Sequence, residues 1–370
     1  MQVNRFRGTH LACFAGDLGI RRAGLWSVAA AAILFASQAA VAQSDAAAKS
    51  NAGNRGAQGQ SSWKKLTSDG QPLLQGYWTN ATVVPFERPA ALGNKAFYTR
   101  EEAAEFERKR LAPRETQEGT TADVHYQFSE YGLDRDASDL VDNLRTSLVI
   151  DPPNGRLPPP LPAAAEKARE RAAYQRAHEF DSAKTLPLSE RCILWPHEMP
   201  IVPTGYNSSL QILQSRGYVV IMTEMMPDAR IVPLDGRPPL TSAVPQWLGD
   251  SRGHWEGDTL VIESTDFTGR TAVQGMPRGM LLSPDAHVEE RFTRLDENTI
   301  RYSFTVQDPH NWAKPWTVEY PMKKIDGPMF EYACQEGNYG LPNTLSGARA
   351  EERKAAEAAR KGQSTDKNDE

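Results

Sequence analysis

The sequence predicts a mainly β protein, an antiparallel up-and-down meander closing into a lipocalin-like barrel, with an irregular and helical N-terminal segment wrapped on it. Three observations carry that reading. Nine short strand-like runs follow one another between Gln211 and Cys334. Most are separated by tight-turn signals such as Ser215-Arg216-Gly217, Glu256-Gly257-Asp258 and Asp326-Gly327. The clearest run sets Ile300, Tyr302, Phe304 and Val306 against Arg301, Ser303 and Thr305. Residues two apart share one face of a strand, so this run has a dry side and a polar side. A meander of that length must curl to protect its edges, and a closed barrel is favoured over two packed sheets.

From the N-terminus, Arg5, Arg7, Arg21 and Arg22 precede an apolar run from Leu25 to Ala40, which ends in Ala40-Val41-Ala42. That is the layout of a cleavable export signal over residues 1–42. The arginine pair with Leu25 and Trp26 partly fits a twin-arginine signal, while the ordinary secretory route is the simpler reading. Residues 43–62 lack bulky apolar side chains and form a flexible leader. Residues 63–190 come next as an irregular and helical segment. Within it, Gly76 to Thr79 with Val83-Val84 reads as a short strand, and Thr99 with Glu102 is a capping box that starts a helix running to about Leu111. The polar stretch from Ala112 to Leu140, with Tyr126, Phe128 and Tyr131, reads as loop. Arg145 to Ile150 is strand-like, Asp151 to Gly155 is a turn, and Ala163 to Phe180 is a mostly solvated helix.

The barrel is expected over residues 191–346, with strands at 211–214, 217–225, 229–233, 253–255, 259–264, 287–295, 299–306, 317–322 and 329–334. Two insertions interrupt it, Arg237 to Asp250 and Asp266 to Pro284. The second is long enough for a lid over one mouth, and a plain surface excursion is the alternative. Residues 347–370 are a charged tail.

Of 370 residues carrying a formal net charge of −5, both signs are interspersed. Nothing marks a nucleic-acid surface or a polybasic anchor. After Ala40 no apolar run approaches the roughly 20 residues of a membrane span. Cys13 precedes the cleavage point, so Cys192 and Cys334 remain and read as one disulfide, with two buried thiols as the alternative. Closing a loop of about 140 residues is worth roughly 4–5 kcal/mol in chain-entropy terms.

Candidate chemistry centres on polar residues within the meander. His254-Trp255-Glu256 and His287-Val288-Glu289 each place an imidazole and a carboxylate two apart. The residue types suit a metal but the spacing is weakly diagnostic, and solvated hairpin ends explain them more simply; no metal and no cofactor is expected. Asp308 and His310 end the longest alternating strand as a possible base and its orienting partner. Glu224 falls on the face of Tyr218, Val220, Met222 and Met226, where a carboxylate needs a partner; Arg230, across the Pro227-Asp228 turn, is the natural one. Glu290 shares a face with Val288 and Phe292 and so points inward. The catalytic candidates are therefore His287, His310, Glu224 and Glu290. Ligand-binding candidates are Arg230, His254, Trp247, Tyr302 and Trp312. No nucleophile elbow, phosphate-cradling loop or Cys-x-x-Cys motif is present.

The run GHWEGDTLVIESTDF, followed by HVEERFTRLDENTIRYSFTVQDPHNW and YACQEGNYGLPN, resembles a group of exported bacterial proteins of unassigned function. The similarity spans roughly Trp78 to Glu351 and carries over no catalytic residue. By strand count the meander is similar to the lipocalin-like (calycin) barrels, which implies a cavity for a small molecule. The expected function is binding of a small hydrophobic or aromatic molecule by an exported barrel. The alternative is a cofactor-independent lyase, isomerase or hydrolase using the His and Glu candidates. A structural envelope protein is the third reading, favoured if the barrel is filled.

Overall fold

The computed structural model describes residues 63–111, 143–204, 207–226, 228–240 and 243–366. The expected export signal, the leader and the loop around Tyr126, Phe128 and Tyr131 lie outside these residues. Ten strands form one antiparallel sheet: β1 (Gly76–Thr79), β2 (Val149–Asp151), β3 (Ser209–Ser215), β4 (Tyr218–Thr223), β5 (Ala229–Pro233), β6 (Asp250–Glu256), β7 (Thr259–Thr265), β8 (His287–Arg294), β9 (Thr299–Gln307) and β10 (Trp316–Lys324). Their order is β5-β4-β3-β1-β10-β9-β8-β7-β6, with β2 paired to β10. The sheet curls until its two end strands approach, so the barrel is nearly closed. At this seam Gly253 has no side chain to interfere. A Cβ there would lie 2.7 Å from Leu234 Cδ2 and 2.9 Å from Val232 Cγ1. Side-chain packing, rather than a continuous ladder, joins β5 to β6.

Short hairpins connect the strands as the turn signals require. Gly217 and Gly257 adopt φ of 79° and 58°, a left-handed backbone that only glycine takes without strain. In the β8–β9 turn the Asp296 carboxylate accepts from Asn298 N at 2.8 Å. Alternation directs Val288, Glu290 and Phe292 inward against Ile300, Tyr302 and Phe304. Two differences from expectation follow from pairing. β1, supplied by the N-terminal segment, enters between β3 and β10. Met329 to Cys334 forms no strand, because β1 and β2 already pair with β10 on the side that a following strand would need.

Helix α1 (Arg100–Leu111) begins at the expected capping box, with Thr99 N donating to Glu102 Oε2 at 2.8 Å and Glu102 N donating to Thr99 Oγ1 at 3.2 Å. Helix α2 (Pro162–His178) is less solvated than its composition suggests. Ala164, Ala168 and Ala172 form a buried stripe at four-residue spacing. Against it lies the insertion 266–284, with Gly279 so close that a Cβ would sit 2.2 Å from the Ala168 carbonyl oxygen. Arg171 donates to the Gly279 carbonyl across the same contact. On its other side, Gln274 N donates to Pro196 O at 2.8 Å and Gln274 Nε2 to Pro203 O at 3.0 Å. The insertion is thus a fixed cover, wedged between α2 and the segment 195–203. Helix α3 (Gly340–Asp366) follows a coil, and its 351–361 stretch is exposed.

Candidate functional site

The barrel interior is occupied by its own side chains. Tyr302 is fully buried, with ring centroids 4.8 Å from Phe292, 5.2 Å from Tyr320 and 6.0 Å from Phe304. Trp316 continues the cluster against Phe304, Trp312 and Phe86. At its centre Arg230, from β5, reaches across the lumen to Glu290 on β8 in a two-pronged ion pair. Tyr302 Oη donates to Glu290 Oε1 at 2.6 Å and accepts from Ile201 N at 3.0 Å, while Tyr320 Oη donates to Ile201 O at 2.8 Å. Burial works to lower the Arg230 pKa, but the Glu290 charge and hydrogen bond outweigh it and the net shift is upward. Burial, then the neighbouring Glu290 charge, raises the Tyr302 hydroxyl well above its ordinary value. These groups fasten the segment 195–203 into one end of the barrel, a structural network that solvent does not reach.

The sequence candidates separate accordingly. Arg230, Glu290, Tyr302 and Trp312 lie in this core. His254, His287 and His310 lie outside it and meet only nearby carboxylates, Glu256 at 3.5 Å, Glu263 at 3.4 Å and Asp285 at 2.7 Å. Trp247 is half-buried in the 243–249 insertion, its carbonyl accepting from Thr271 Oγ1 at 2.6 Å. The expected Glu224–Arg230 pair does not form. β4 ends at Thr223, so Glu224 leaves the alternation and is held by Asn207 Nδ2 at 2.7 Å and Phe330 N at 3.3 Å. Arg230, opposite the inward-facing Ile221, takes Glu290 instead. Among the described residues no group of three His, Cys, Asp or Glu side chains is placed to hold a metal.

What the structure does assemble is a groove at the end of the barrel where Glu224 sits. Three stretches build it: the loop at Cys192 and Ile193, the turn after β4 with Met226 and Asp228, and the coil Glu331 to Glu336. The coil is fastened by the Cys192–Cys334 disulfide, with Cα atoms 5.7 Å apart, and by Phe330 N on Glu224. The volume is about 440 Å³ and the groove opens to solvent. Ile193, Met226, Tyr332 and Ala333 give apolar wall, and Asp228, Glu331 and Glu336 give carboxylates. Met226 has φ of 52°, in the left-handed region, which turns the chain sharply into the groove wall.

Two buried ionisable groups in the segment 195–203 were not among the sequence candidates, and neither lines the groove. His197 is 3% exposed, and among the described residues neither ring nitrogen has a hydrogen-bond partner; burial lowers its pKa to about 4. Glu198 is 5% exposed, and burial, with the Asp228 charge adding to it against the Trp195 backbone hydrogen bond, raises its pKa to about 8. Its Oε1 accepts from Trp195 N at 2.8 Å. The signal available for them was the run Trp195-Pro196-His197-Glu198-Met199-Pro200, in which two ionisable residues stand between bulky apolar ones and prolines. Compared with protein-family models, with curated proteins and with solved structures, the chain matches none. The likeness to an exported bacterial group therefore gains no support, and the calycin likeness reduces to a barrel-like fold.

Proposed function

We propose that this is an exported protein that binds a small molecule with a hydrophobic or aromatic body, and that the molecule sits in the groove beside Cys192–Cys334. The filled barrel interior directs the proposal to its mouth. The observation that carries it is a groove of about 440 Å³, in the size range of small-molecule sites, lined by both apolar side chains and carboxylate residues. The disulfide suits an oxidising compartment, and no described helix is long and apolar enough to cross a membrane. The experiment is a thermal-shift and NMR screen of aromatic and aliphatic small molecules against the full chain and against Ala333→Trp, which fills the groove from an exposed position. Binding that raises the midpoint of the native chain and disappears in the folded Ala333→Trp protein supports the proposal. No shift across the library, or equal binding by the variant, removes it.

Glu198 favours a second reading, an enzyme acting on the bound molecule. Glu198 keeps its proton at neutral pH, and the charge of Asp228, a groove residue, contributes to that shift, which couples a buried proton donor to a carboxylate of the groove. Lyase, isomerase or hydrolase chemistry needs that pairing and no cofactor. In this reading Glu198→Gln and Asp228→Asn each abolish turnover while ligand binding persists, and the rate falls as pH rises through about 8. Turnover unaffected by either change would exclude it.

A further inference from the structure

Among the described arginines of the N-terminal segment, Arg88 is the most deeply buried, and no negative charge matches it. Its side chain is only 5% exposed. Its Nε donates to Thr146 Oγ1 at 2.8 Å and its Nη1 to Pro153 O at 3.2 Å, both neutral acceptors. Among the described residues no carboxylate comes within ion-pair distance of it, and Nη2 has no hydrogen-bond partner. Nη2 is not among the fully enclosed atoms, so the guanidinium keeps a route to solvent while most of the side chain is covered without a counter-charge, which is costly. The neighbours make the imbalance larger. Arg156 donates from Nε to the Arg88 carbonyl at 3.1 Å and, among the described residues, forms no ion pair. Arg145, also nearby, is already paired with Glu319 at 2.9 Å. The Glu87 carboxylate, next in the chain, accepts from Leu157 N at 2.6 Å. Burial first, and then Arg156 and Arg145, hold the Arg88 pKa below its ordinary value.

The frame around these two side chains is rigid. Arg88 N donates to Gly155 O at 2.7 Å, and Arg156 N to Asn154 Oδ1 at 3.1 Å. Gly155 has φ of 72°, and a Cβ there would lie 2.4 Å from Ser147 Oγ and 2.7 Å from Arg88 Nη2, so the turn tolerates only glycine. The cations are thus pre-positioned instead of being free to swing into water.

We propose that the turn around Arg88 and Arg156 binds a small oxyanion, a phosphate or carboxylate group, through the unbonded guanidinium nitrogens of both residues. Planar guanidinium groups match the spacing of two oxyanion oxygens, and a bound anion supplies the charge that the fold leaves out. The site shares no residue with the groove, so its test is independent of the ligand proposed there.

The test titrates inorganic phosphate and, separately, sodium acetate into the full chain by calorimetry and thermal shift, with ionic strength held constant by sodium chloride. Saturable binding and a raised midpoint are expected with at least one anion, and the tighter of the two identifies whether the group is tetrahedral or planar. Arg156→Gln, at a half-buried position, should weaken binding by at least about tenfold, as the loss of one charge-assisted partner does. Arg216→Gln, in the exposed β3–β4 turn, should leave it unchanged. Arg88→Gln should abolish binding, and if that variant fails to fold, Arg156→Gln decides the matter. Absence of saturable binding with either anion, full affinity in Arg156→Gln, or equal weakening in Arg216→Gln overturns the proposal.

Discussion

Glu198 and His197 are neighbours in sequence whose burial acts on stability in opposite senses. Glu198 titrates near 8 in the folded chain and near 4.5 when unfolded, so its neutral form stabilises the fold below pH 4.5, and that contribution is lost as pH rises through 8. His197 titrates near 4 folded and 6.5 unfolded, so its contribution is complete above pH 6.5 and is lost as pH falls through 4. Between pH 4.5 and 6.5 the two slopes oppose each other, and between 6.5 and 8 only the Glu198 slope remains. Urea denaturation at several pH values should therefore show stability falling from pH 6.5 to 8, and Glu198→Gln should flatten that fall. A slope unchanged in the variant would assign it elsewhere. Strand alternation governs side-chain direction where a strand continues and lapses where it ends. Glu290 lies inside β8, so alternation turned it inward as expected, whereas Glu224 lies one residue past β4 and obeys no period. The partner of Arg230 was hidden because Glu290 is 60 residues away and β5 and β8 share neither a hairpin nor a ladder.

At the scale of elements, β5 is the strand most dependent on side chains. It has a ladder partner only in β4, and its other edge faces the β6 seam at Gly253. The Arg230–Glu290 pair ties it across the lumen to β8. Breaking a buried pair leaves an uncompensated charge, so Glu290→Gln should cost roughly 3 kcal/mol. Hydrogen exchange should localise the effect, with β5 amides losing protection ahead of β8 to β10; uniform loss would mean that the pair supports the core generally and not the seam. The strands of the meander were legible because hairpin turns and alternation are local. The insertion of β1 between β3 and β10 was not, since Gly76–Thr79 is a four-residue run that reads the same at any edge. The burial of α2 was missed for a related reason. Alanine is small enough to be exposed without penalty, and only the facing Gly279 makes its stripe a contact.

For the whole molecule, the disulfide closes 142 residues of chain, from the loop before the segment 195–203 to the coil after β10. A link of that kind should be worth about 2–5 kcal/mol, and Cys192→Ser with Cys334→Ser should lower the denaturation midpoint accordingly. The pairing was readable from the count of two cysteines after the expected signal, while the groove it builds was not, because no single run contains its wall. Cys192, Met226 and Ala333 come together only through the tertiary fold.

That arrangement gives the molecule an order of completion. The ladders of the sheet and the buried Tyr302 network contain no disulfide, whereas six of the groove's residues, Glu331 to Glu336, are carried by a coil secured by the bond to Cys192 and by Phe330 N on Glu224. A chain whose two thiols have not yet joined is expected to keep its body and loosen its mouth, which groove-residue NMR shifts under reduction would show. Under the proposed function, competence to hold a ligand then follows the joining of Cys192 to Cys334 and not the folding of the sheet.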